Sequence, residues 1–91
     1  MAAILLADCA VHKKSEGSVE LAYISTPSTA DSADTIDITA LLDGRVIADL
    51  YAWDVTSEIL STCTSSSGTL TLDAAGGTTD HRYIIKVAML R

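Results

Sequence analysis

Hydrophobic and polar positions alternate along most of this chain, and successive side chains of a strand face opposite sides of a sheet. Tyr83, Ile85, Val87 and Met89 form one face of a closing strand, with Arg82, Ile84 and Lys86 on the other. Leu70 and Leu72 alternate with Thr69, Thr71 and Asp73, and Ile36 and Ile38 alternate with Thr35, Asp37 and Thr39. Near 18–25, Val19, Leu21 and Tyr23 share a face, with Glu20 opposite. Val46–Val55 is apolar on both faces, as expected of a strand covered on both sides or of one whose bulge switches face. The expectation is that it lies at the centre of the sheet with Tyr51-Ala52-Trp53 buried. EILSTCTSSS reads as one further strand. Residues 2–11 suit a strand with Ile4 and Leu6 inward better than a lone helical turn, which is marginal in water.

Breaks separate these runs: Pro27 with the small polar residues after it, Asp43-Gly44, Ser65-Ser66-Ser67-Gly68, and 74–80 around Gly76-Gly77. Pro cannot donate to a ladder, and Gly, Asp and Ser favour turns. About seven short strands at this spacing predict an all-β fold, a small antiparallel β-sandwich or barrel, with residues 1–91 as a single β domain.

A chain of 91 residues buries only roughly 60–65% of its unfolded surface. Apolar residues make up 48%, with no Phe and one Trp, so Ile, Leu, Val and Ala must build a thin core. Thin cores are helped by disulfides, metals or assembly, and two Cys and two His leave assembly the least restricted of these. The formal charge of −6 argues against a nucleic-acid partner, which needs clustered Lys and Arg. No run approaches the ~18–20 apolar residues of a membrane span, so no membrane partner is expected. AAILLADCA has neither the basic start nor the length of a secretory segment, and Asp8 stands where a small residue is required. Met1 to Val11 are therefore read as mature protein, and Cys9 and Cys63 as free, buried thiols, with a bridge between them left open.

Several residues have the chemistry of a site but a plainer role. Cys9 and His12 have metal-like spacing, and Cys63 and His81 would supply two more ligands, yet the second half of the chain lacks the paired ligands of a zinc site. Asp31, Asp34, Asp37 and Asp43 offer oxygens to a cation such as Ca²⁺, but Asp in turns also bonds its own backbone. Asp80-His81 beside Ser65–Ser67 suggests a triad, which needs nucleophile and base in hydrogen-bond reach; a Ser run in a hairpin loop supplies turn geometry. Gly76-Gly77 lacks the following helix of a phosphate loop, and Lys13-Lys14 reads as a solvated turn before Gly17. Tyr51 and Trp53, two apart on one face, would make a sugar-stacking platform if exposed and core pieces if buried. No catalytic residue, cofactor-binding residue or metal ligand is assigned, no cofactor is expected, and the chain is read as not an enzyme.

Val-His-Lys-Lys-Ser-Glu-Gly-Ser-Val-Glu-Leu (11–21), Asp34-Thr35-Ile36-Asp37-Ile38 and the closing Tyr-Ile-Ile-Lys-Val (83–87) together resemble small β-rich virion proteins of tailed bacteriophages, of the head-decoration or head-stabilising type. The family pattern is a basic pair, a Gly before an alternating strand, an acidic Asp-Thr-hydrophobic motif and a final hydrophobic strand. Ala33 stands where a Gly often precedes the Asp-Thr pair. The resemblance implies a non-enzymatic structural protein of the virion, assembled in the host cytoplasm, that binds the major capsid protein as a homo-oligomer. The alternative is a carbohydrate-binding or adhesive β-sandwich module working through Tyr51 and Trp53.

Overall fold

The computed structural model describes residues 2–73 and 77–90. The protein is all-β: nine strands among the described residues form two sheets that enclose one core. They are β1 (Ala3–Ile4), β2 (Ala10–Glu16), β3 (Val19–Ser25), β4 (Thr35–Asp37), β5 (Val46–Asp54), β6 (Ile59–Ser61), β7 (Cys63–Ser66), β8 (Thr69–Leu72) and β9 (Tyr83–Leu90). A 3₁₀ turn (Leu6–Asp8) follows β1, and one helical turn, α1 (Thr39–Leu42), follows β4. The smaller sheet has the order β1-β4-β8-β7 and the larger β2-β3-β9-β5-β6. All pairings are antiparallel except β1 with β4, a two-residue parallel contact.

Two strands exceed the seven expected, each for a physical reason. Lys13-Lys14 lies within β2 and not in a turn, because Gly17-Ser18 closes a two-residue hairpin that pairs Ala10–Glu16 with Val19–Ser25. Positive φ at Gly17 (65°) suits the first position of a type II′ turn, where glycine carries no steric penalty. All seven residues of β2 are exposed, so hydrophobic alternation gave no sign of it. The second extra strand arises because EILSTCTSSS divides at Thr62: β6 ends in one sheet and β7 begins in the other. In 2–11, strand and helical turn both occur, and Ile4 and Leu6 pack against the core as expected.

The core joins Ile36, Leu70 and Leu72 of the smaller sheet to Ile24, Ala52, Tyr83, Ile85, Val87 and Met89 of the larger. Ile38 and Leu41, which flank and enter α1, belong to the same core. In β3 the inward face is Glu20, Ala22 and Ile24, opposite to Val19, Leu21 and Tyr23, which face out. Glu20 tolerates that position because Arg45 meets it at 2.9 Å, with both side chains largely buried. A buried charge is costly without such a partner. A bulge between Ile47 and Asp49 switches the face of β5, so Ile47, Leu50 and Ala52 pack inward while Val46, Tyr51 and Trp53 point out. β5 is not the centre of its sheet; β9 is, flanked by β3 and β5 along nearly its whole length. Ala52 is buried, but Tyr51 is 47% exposed and Trp53 half-buried.

Candidate functional site

Where β5 enters its turn, His81 meets Asp54. Nδ1 of His81 lies 2.7 Å from Asp54 Oδ2, with the Asp54 side chain 2% exposed. Asp54 Oδ1 accepts the Ser57 backbone N–H at 3.1 Å. Burial pushes the Asp54 carboxyl up, but the hydrogen bonds from His81 and from the Ser57 and Thr56 backbone outweigh it and hold its pKa below the ordinary carboxylate value. Ser57 Oγ is 3.4 Å from the same His81 Nδ1. In a catalytic triad, the carboxylate and the nucleophile engage opposite ring nitrogens, so that one orients the base while the other gives up its proton. Here both address Nδ1. The arrangement ties the segment leading into β9 to the β5–β6 turn. Asp54 and Ser57 were not among the residues singled out from sequence, because they lie 27 and 24 residues from His81.

The Ser65–Ser67 run builds the β7–β8 hairpin. Ser66 pairs with Thr69, and positive φ at Ser67 (51°) and Gly68 (81°) suits a type I′ turn. The acidic segment also serves backbone. Asp34 is buried and accepts the N–H groups of Ala2 (2.8 Å) and Asp31 (2.9 Å), while Asp31 accepts that of Asp80 (2.8 Å). Asp37 bonds the Thr39 backbone and hydroxyl, which lower its pKa, and Asp43 ends α1 in the left-handed region. Among the described residues no three His, Cys, Asp or Glu side chains converge as metal ligands do.

The four residues considered for zinc occupy different elements. Cys9 follows the 3₁₀ turn, His12 is exposed on β2, Cys63 lies on β7 and His81 pairs with Asp54. Both cysteines are free thiols packed against the core. Burial pushes the Cys63 thiol up to about 11, and burial with the nearby Asp8 raises that of Cys9. Of the glycine pair, Gly76 lies outside the described residues.

The chemical contrast of the molecule is between its two outer faces. Rows of cross-strand neighbours on the larger sheet read Leu60–Trp53–Ile84, then Tyr51–Lys86–Tyr23–His12, Asp49–Ala88–Leu21–Lys14 and Val46–Leu90–Val19–Glu16. Leu60 and Val46 are each 62% exposed. The outer rows of the smaller sheet are Thr35–Thr71–Thr64 and Asp37–Thr69–Ser66. An open groove of about 630 Å³ runs beside that polar face, lined by Ile4, Leu5, Leu6 and Ala40 together with Asp37 and Thr39. It shares no residue with the His81 cluster.

Compared with known proteins, the chain matches no family model, no curated protein and no solved structure. No helix among the described residues is long and apolar enough to cross a membrane.

Proposed function

We propose that this chain is a non-enzymatic structural protein that works by protein contact, as a decoration protein binding the major capsid protein of a tailed-phage head. The observation that carries the contact reading is the outer face of the larger sheet, where Val46, Tyr51, Trp53, Leu60 and Leu90 present apolar and aromatic surface to solvent. Large apolar and aromatic side chains exposed together on one sheet face mark an interaction site more often than singly scattered ones do, and Tyr and Trp are enriched in interface cores. The capsid as partner rests on the motif resemblance. A protein that binds only the assembled shell stabilises it by mass action.

The test is co-sedimentation of purified protein with expanded capsids and with the unexpanded precursor shell. Saturable binding to the expanded form, lost on Trp53→Ser with Leu60→Ser, is expected; absence of the protein from virion heads would overturn the reading.

The exposure of Tyr51 favours one second reading, a carbohydrate-binding module. Its neighbours weigh against it, because Trp53 is flanked by Leu60 and Ile84 rather than by the polar groups that fix sugar hydroxyls. A glycan that shifts Trp53 fluorescence would reverse that order.

A further inference from the structure

The groove beside the smaller sheet has chemistry that the outer face of the larger sheet does not use. β1 and the 3₁₀ turn after it stand on one side of it, and the start of α1 on the other. Ile4, Leu5 and Leu6 form an aliphatic wall; Ile4 and Leu6 also pack on the core, while Leu5 is 64% exposed. Asp37 and Thr69, cross-strand partners on β4 and β8, line the groove as well. Among the described residues that line it, Asp37 alone is ionisable.

We propose that this groove is a docking site for a lysine side chain of a partner protein, carried on a short segment with apolar neighbours. The lysine stem lies along residues 4–6 and its ammonium meets Asp37. Three observations carry the assignment. First, Asp37 has no cation of its own: the ion pairs among the described residues are Lys14–Glu16, Arg45–Glu20 and His81–Asp54. Second, its carboxylate is fixed in advance. Oδ1 accepts both the Thr39 backbone N–H at 2.9 Å and the Thr39 hydroxyl at 2.6 Å, which favours the ionised form. The Ile38 N–H, donated to the Gly68 carbonyl at 2.8 Å, holds this corner to the β7–β8 turn. Both Thr39 bonds fall on Oδ1, so Oδ2 keeps its acceptor capacity. A bidentate guanidinium needs both carboxylate oxygens, whereas an ammonium is a compact point charge that one oxygen can satisfy. Third, a lysine buries its aliphatic stem along apolar surface and keeps its charge at a polar end. The groove offers that order, from the wall of residues 4–6 to Asp37. A carboxylate ligand would be repelled by Asp37, and a purely apolar one would cover it without a partner.

A volume of about 630 Å³ lies within the range of ligand sites and exceeds a single side chain, so apolar neighbours of the lysine have room against Leu5 and Ala40. Asp37 is exposed, and an exposed ion pair adds little; one such contact is weak and selective rather than tight. The inference is independent of the capsid reading, and its test contains no capsid.

The probes are acetyl-Leu-Lys-Leu-amide and the same peptide with norleucine, glutamate or arginine at its centre. Each is titrated into the isotope-labelled chain at low salt and followed by amide chemical shifts. The lysine peptide is expected to saturate on the order of millimolar and to shift amides of residues 4–6 and 35–40. The norleucine peptide should bind about threefold more weakly, and the glutamate peptide more weakly still. Asp37→Asn retains the Oδ1 acceptor for Thr39 and should erase the difference between lysine and norleucine while leaving the norleucine peptide unchanged. Leu5→Ser should weaken both. No saturable shifts at the groove, equal affinity for the lysine and norleucine peptides in the unmodified chain, tighter binding of the arginine peptide, or a lysine preference that survives Asp37→Asn would each overturn the proposal.

Discussion

Gly68 occupies a left-handed position at the β7–β8 turn, and a Cβ built on it would lie 2.6 Å from Thr39 Oγ1. Its carbonyl also accepts the Ile38 N–H at 2.8 Å, so the turn cannot move away without losing a bond. Gly68→Ala should therefore destabilise the protein by about 1–3 kcal/mol, read as a lower urea midpoint, whereas Gly17→Ala meets no neighbour and costs only its backbone strain. Asp54 carries a pH prediction. Its folded pKa lies below the unfolded value, so the stability it contributes is present above about pH 4 and is lost as pH falls through the depressed folded value. Urea unfolding of the wild type and Asp54→Asn at several pH values should show a gap at neutral pH that closes in acid; a constant gap would remove the carboxylate from the account. At Cys63, with the thiol near 11, roughly one molecule in a thousand is thiolate at pH 8. Alkylation followed by mass spectrometry should be slow for the folded protein and fast in urea.

At the scale of elements, the strands with one apolar face, β4, β8 and β9, stand where alternation put them, since a one-residue slip would send every side chain to the wrong side. The less regular elements were not legible for separate reasons. β2 has no apolar face to read, and Glu20 reversed the apparent phase of β3 because its partner Arg45 is 25 residues away and invisible to local pattern. In β5, the alternative of a bulge was readable from apolar residues on both faces, but not which side of the sheet Tyr51 and Trp53 would take. The same limit of local pattern hid the polar anchor of the stretch before β9, where Thr78 Oγ1 bonds Tyr83 Oη and Ser32 Oγ. Tyr83 is fully buried, so Thr78→Val leaves its hydroxyl short of a partner and should cost about 1–3 kcal/mol. Tyr83→Phe removes the buried hydroxyl itself and should cost less. Thermal unfolding of the two variants compares them directly.

For the whole molecule, the two sides of the larger sheet differ in what covers them, although both carry apolar residues: one packs on the smaller sheet and the other faces solvent. Ile85 faces the smaller sheet and is fully buried, so truncation to Ala empties part of the core and should cost about 2–5 kcal/mol. Leu60 and Trp53 face outward in one cross-strand row, the first 62% exposed and the second half-buried. Much of their surface is already in water in the isolated chain, so replacing both with Ser should cost the fold only about 1–2 kcal/mol. If the outer face is a contact surface, the same pair of changes should abolish partner binding while the unfolding midpoint moves little. If it is instead a second, poorly covered core, stability and binding should fall together and in proportion. Denaturant unfolding and capsid co-sedimentation on one set of variants therefore separate a surface that exists to be covered by another protein from one that holds this protein together.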